Sequence, residues 1–137
     1  MHLIIQVAAA AAKWDGTGSL VFTSSTGMYA ADSGLVDEQS EVLAADHSDR
    51  IARLAGAESA VLEVGGNVVR LTGLYHANRG PHSFFFKKGE IGKRGDSVLN
   101  LIHYEDAASI AVAVRPSPWR SSHVFHRPWN DWVYTLS

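Results

Sequence analysis

From position 23 the chain sets four hydroxyl side chains in a row, Thr23, Ser24, Ser25 and Thr26, followed by Gly27 and then the phenol of Tyr29. Leu20, Val21 and Phe22 precede them as a short apolar run, itself preceded by the turn residues Asp15-Gly16-Thr17-Gly18. Such a run predicts a strand buried on both faces of a parallel sheet. Hydroxyls at the carboxyl end of such a strand stand where open α/β sheets place their ligands. The same residues in a Ser/Thr turn would satisfy only local backbone groups, and the segment by itself leaves both readings open. Tyr29 has the chemistry of a proton donor. A phenol ordinarily ionises only near pH 10, so to act as a base at about neutral pH it would need a neighbouring cation. Arg50 and Arg70 are the candidates.

Other chemistry-bearing groups are weaker. Asp37-Glu38 could form an acid/base couple, but sequence neighbours rarely face one another and a solvated pair is the simpler expectation. His103 is read as a structural histidine bonded to backbone near the cleft. His123 and His126 have the look of a metal pair without a third ligand, so no metal is expected.

The 137 residues suffice for one compact domain. Twelve basic against 14 acidic residues argue against a nucleic-acid or polyanion binder. The absence of cysteine excludes disulfides, thiolate zinc sites and cysteine nucleophiles. No apolar run is long enough for a membrane span, so a soluble, cytoplasmic protein is the default expectation. Leu3 to Trp14, with its alanine tract, predicts a helix; a targeting segment is the alternative, though no Lys or Arg precedes the apolar core.

The elements that must position the hydroxyl cluster follow in order. Residues 30–48 read as a polar surface loop. Ser48 or Asp49 can cap a helix carrying Ile51, Leu54, Ala55, Glu58, Val61 and Leu62 at helical spacing, and Gly65-Gly66 ends it. Asn67 to Leu71 then predicts a second buried strand. The order is αβ, loop, αβ, as in half of a doubly wound sheet. Ser83 to Lys88 predicts a short helix with Phe84–Phe86 turned inward, and the charged run Lys87 to Asp96 an exposed segment. Val98 to Ile102 leads into an alanine-rich helix that Asp106 could cap.

Three segments together carry a family resemblance: Thr23-Ser24-Ser25-Thr26-Gly27-Met28-Tyr29; Val68-Val69-Arg70-Leu71-Thr72-Gly73-Leu74-Tyr75 with Arg79-Gly80-Pro81; and Asn100-Leu101-Ile102-His103-Tyr104-Glu105-Asp106. They resemble the NAD-dependent epimerase/dehydratase family, the extended short-chain dehydrogenases, over Ile4 to Val114. The resemblance implies an α/β fold, a partial Rossmann-like doubly wound parallel sheet corresponding to the later half of an incomplete domain. Residues 1–114 would form that domain and 115–137 a non-homologous Trp- and Pro-rich tail, explained by a misread frame or exon. It further implies that Ser25 and Tyr29 take the catalytic positions, and that Ser25 and Thr26 orient the substrate. Thr23, Ser24, Leu74 and Tyr75 would approach the cofactor, and Asn100 and His103 would line the substrate cleft. NAD or NADP is the implied cofactor, bound by the complete protein rather than by this chain alone.

The family's machinery is only partly present. No GxGxxG occurs, and Gly16-Thr17-Gly18 precedes a strand instead of following one, so it cannot cradle a pyrophosphate. In the family's register the tyrosine and lysine of YxxxK fall on Arg50 and Leu54, while its glutamate falls on Glu58. A guanidinium cannot serve as acid or base, and leucine carries no charge. The chain therefore resembles the atypical members that keep the fold without the proton relay. Its expected function is that of an NAD(P)-dependent oxidoreductase or epimerase fragment acting on a small molecule. The alternatives are a non-catalytic dinucleotide-sensing or interaction protein, and a truncated gene model without activity of its own. A parallel sheet lacking strands exposes an edge, so marginal stability or self-association is also expected.

Overall fold

A computed structural model of the chain describes residues 2–31, 34–91, 98–114 and 122–125. Helix α1 (His2–Lys13) opens the chain. Its half-buried or buried positions Ile4, Val7, Ala8 and Ala11 recur at helical spacing and form one face. That face lies on helix α2 (Asp49–Glu63), where Ile4 packs so closely that a Cβ at Gly56 would sit 3.0 Å from its Cδ1. Helix α2 begins where the Ser48 hydroxyl accepts from the Ile51 N–H (3.3 Å), and Ile51, Ala57, Glu58 and Val61 face inward. It stops at Gly65, whose φ of 86° is left-handed. Gly65 N donates to Leu62 O (3.0 Å) and Gly66 N to Val61 O (2.9 Å), the paired bonds that close a helix carboxyl end.

Strand β2 (Asn67–Leu71) follows at once and is buried at all five positions. It pairs in parallel with β1 (Val21–Ser25) on one side and with β5 (Ser122–Phe125) on the other. Successive side chains of a strand point to opposite faces. Arg70 reaches Glu58 of α2, so one face of β2 looks toward that helix. Val69 and Leu71, on the other face, pack with Ala107 and Val114 from helix α4 (Tyr104–Ala113) and its carboxyl cap. Helices thus cover both faces of the central strand. Strands β3 (Gly73–Tyr75) and β4 (Leu101–His103) form a second parallel pair, and helix α3 (Pro81–Lys88) lies between them in sequence. Among the described residues, four α-helices and short parallel strands in two small sheets make an α/β fold, part of a Rossmann-like doubly wound arrangement. Also among these residues, no helix is long and apolar enough to cross a membrane.

Four local expectations are corrected. Strand β1 is not buried on both faces: Val21 and Phe22 are half-buried and Thr23 is exposed. It stands at an edge of its sheet among the described residues, and β2 takes the fully buried place. The phenylalanines of α3 do not turn inward together; Phe84 is 61% and Phe86 84% exposed. Consecutive helical residues point about 100° apart, so three in a row cannot share one face. Asp106 does not cap α4, because the helix starts earlier. His103 Nδ1 accepts from the Glu105 N–H (3.3 Å), and Asp106 lies within the first turn, beside the positive end of the helix. Finally, within the Trp- and Pro-rich tail, for which no element is expected from the sequence, Ser122–Phe125 forms β5; four residues hold too few alternations to show a period. Asp32, Asp96, His126 and the tryptophans and prolines of the tail lie outside the described residues.

Candidate functional site

At its carboxyl end β1 runs into a single 3-10 turn, Thr26–Met28. Ser25 caps that turn, its Oγ accepting from the Gly27 N–H (3.2 Å). The same Oγ accepts a second hydrogen bond from Arg50 Nη2 (3.2 Å), delivered from the first turn of α2. Gly27 makes room for it: a Cβ there would lie 3.2 Å from Arg50 Nη1. The capped start of α2, the end of β1 and the missing side chain at position 27 therefore bring a serine hydroxyl and a guanidinium together at the surface. Thr26 Oγ1 reaches across to Leu71 O at 3.5 Å, a long contact that ties the turn to the end of β2.

Behind this surface pair lies a buried one. Arg70 is held in a fork by Glu58, Nε to Oε1 at 3.0 Å and Nη2 to Oε2 at 2.7 Å, with both side chains less than a tenth exposed. Burial opposes the charge of Arg70, but the hydrogen bonds to Glu58 outweigh it and hold the guanidinium firmly protonated. Its Cζ lies 4.9 Å from the ring centre of Tyr29. The Tyr29 hydroxyl is buried without a hydrogen-bond partner, and burial pushes the phenol above its ordinary range, the opposing influence of Arg70 notwithstanding. At about neutral pH the ring is therefore neutral. Of the two cations named for Tyr29, Arg70 takes the position and Arg50 turns to Ser25.

The remaining candidates spread over the molecule. Thr23 is exposed on β1, whereas Ser24 is buried with its Oγ unpartnered, aligned with Arg70 across the β1–β2 ladder. Leu74 packs against the core cluster of Val69 and Leu71. Tyr75 is partly exposed and meets the His103 ring edge-on at 5.4 Å, at the carboxyl ends of β3 and β4. Asn100 stands at the opposite end of β4, its carbonyl accepting from Gly73 N (3.1 Å). Thus Ser25, Thr26 and Tyr29 gather at the end of β1, Tyr75 and His103 share a second locus, and Asn100 stands apart from His103. His76, Tyr104 and Arg79 border that second locus, with His76 to Tyr104 at 5.3 Å and Arg79 Cζ over the Tyr104 ring at 5.8 Å. In the polar loop the Asp37 carboxylate accepts from the Ser40 hydroxyl (2.9 Å) and the Gln39 N–H (3.0 Å), which hold it below the usual carboxylate range. That is a turn-ordering role.

Two features escaped the sequence reading. The Glu58–Arg70 pair was signalled by a charged residue on the apolar face of α2 and another inside an apolar strand. The Ser25–Arg50 contact had no local signal, since it depends on how α2 meets β1.

Among the described residues the Gly16–Gly18 turn offers no cradle for the pyrophosphate of a dinucleotide. Gly16 and Gly18 lie between α1 and β1, and the place of a Cβ on either has nothing within 4 Å. A phosphate-binding turn instead follows a strand and packs tightly at a helix start. Among the described residues no three His, Asp or Glu side chains converge as metal ligands.

No family model and no curated protein matches the chain. Among solved structures it is similar to a functionally unknown conserved protein from Silicibacter pomeroyi DSS, with 28% identity and a TM-score of 0.63. The match covers 98% of this chain and 47% of that one, so this chain spans about half the length of its neighbour.

Proposed function

We propose that the chain is the substrate side of an atypical NAD(P)-dependent oxidoreductase of the epimerase/dehydratase kind, acting on a small molecule without a tyrosine–lysine proton relay. The observation that carries this reading is the Ser25 hydroxyl held by Arg50 at the end of a parallel strand. Ser25 and Thr26 orient the substrate. Arg50 fills the position where the resembled family has its tyrosine, and it binds an oxygen there instead of exchanging a proton. Recognition of the dinucleotide's pyrophosphate falls to residues other than those described. Among the described residues β1 stands at a sheet edge, which supports self-association as part of the same reading.

A second reading is favoured by one observation. Leu54 occupies the lysine position and the Tyr29 phenol is pushed up by burial, which together support the absence of a proton relay. That supports a dinucleotide-sensing protein without turnover. Titration of the protein with NADPH and NADH, followed by assays against a panel of carbonyl compounds, separates the two. Binding with turnover supports the oxidoreductase, binding without turnover supports the sensor, and no binding of either nucleotide by the complete protein would falsify both.

A further inference from the structure

We infer that Ser25 and Arg50 form a carboxylate-binding pair, so that the small molecule taken at this site carries a carboxylate. The inference rests on the reading of Ser25 as a substrate-side hydroxyl and adds the ligand's charge and shape.

A serine hydroxyl has two lone pairs and one O–H. Both lone pairs of Ser25 are used, one by the Gly27 N–H and one by Arg50 Nη2, each at 3.2 Å. The hydroxyl proton is then left to donate, and among the described residues no protein acceptor takes it. Arg50 spends one N–H on Ser25, and no carboxylate of the described residues lies within ion-pair distance of it. The remaining groups of this pair are therefore donors, and they carry net positive charge. A ligand group suited to them must offer acceptors only and be negative.

A carboxylate supplies two oxygens in one plane, one for the Ser25 O–H and one for the free edge of the Arg50 fork. A phosphate dianion brings a second negative charge, which the single guanidinium of the pair does not balance. The contrast with Arg70 supports the assignment, since that arginine already has its carboxylate in Glu58 while Arg50 has none among the described residues. Gly27 completes the arrangement by leaving the guanidinium unobstructed.

The test is a titration of the 15N-labelled full chain, following the Gly27 amide and the Arg50 side-chain Nε–H at constant ionic strength. Acetate, the uncharged acetamide and inorganic phosphate are the probes. Acetate should shift both signals saturably, and acetamide should not. Arg50→Gln should weaken the acetate response about tenfold or more, and Arg50→Lys, which keeps charge but not the fork, by about threefold. Ser25→Ala should also weaken it, and unchanged melting temperatures would show that these variants fold. A response that fails to saturate, matches acetamide or survives Arg50→Gln overturns the inference, as does tighter binding of phosphate than of acetate. NADPH titration of the same samples keeps the parent reading separate. NADPH binding without an acetate response defeats the carboxylate pair alone. An acetate response without NADPH binding leaves the pair standing and shows only that this chain by itself does not hold the dinucleotide.

Discussion

Two arginines flank helix α2, and their surroundings could hardly differ more. Arg70 is buried beneath the helix, forked onto Glu58 and stacked on Tyr29. Arg50 sits exposed in the helix's first turn and leans on a neutral hydroxyl. A charge taken out of water must be matched at once, and once matched it is committed to the fold. A charge left at the surface beside a hydroxyl, with no carboxylate near it among the described residues, keeps its capacity to bind. The first arginine is committed to its buried partner, and the second is left open at the surface.

The largest effect should come from breaking the buried pair. Arg70→Met leaves Glu58 uncompensated and should cost about 3–5 kcal/mol in urea unfolding. Adding Glu58→Leu should recover most of it, because the penalty lies in the orphaned charge. If the double variant is no more stable than the single one, the pair is not the source of the cost. Next in size, Ser48→Ala removes the cap of α2 and should cost about 1 kcal/mol. It should also loosen Arg50, read as a smaller acetate-induced shift at Gly27.

A smaller effect belongs to Tyr29. Its hydroxyl is buried without a partner, so Tyr29→Phe should change stability at pH about 7 by less than about 1 kcal/mol. The pH dependence has a defined sign. The folded phenol is raised above its unfolded value near pH 10, so its contribution is present below about pH 10 and lost as pH rises past it. Tyr29→Phe should flatten that alkaline decline in unfolding midpoints measured between pH about 8 and about 11. The smallest stability effect is expected at Arg50: Arg50→Gln should stay within about 0.5 kcal/mol of the parent while losing the carboxylate response. A large loss of stability there would erase the distinction between the two arginines.

The sequence made the frame legible where spacing and caps speak together. Ser48 before the helical face of Ile51, Glu58 and Val61, Gly65-Gly66 after it and the apolar run of β2 marked one αβ unit, and the structure has it. What stayed hidden depends on neighbours distant in sequence. An apolar run does not reveal whether its strand will be central or at an edge, which separates β2 from β1. The inward placement of Phe84–Phe86 followed from hydrophobicity alone, without a partner surface for α3. At the candidate site the hydroxyl row could be seen, but which arginine would reach Ser25 and which Tyr29 was decided by the docking of α2. Both arginines had been named for the tyrosine, and only the three-dimensional packing divides the work between them.

The Glu58–Arg70 fork also acts as a key in a shaft. It fixes the angle at which α2 lies about its own axis over β2. Arg50 belongs to the same rigid rod, roughly 12 Å away along it. Rolling the helix to carry Arg50 off Ser25 would first require drawing two opposite charges apart in a buried setting. The guanidinium can therefore leave the hydroxyl only by turning its own side-chain torsions, on the timescale of surface rotamers. A ligand of the kind proposed for Ser25 would meet a backbone already in place and have only one side chain to adjust.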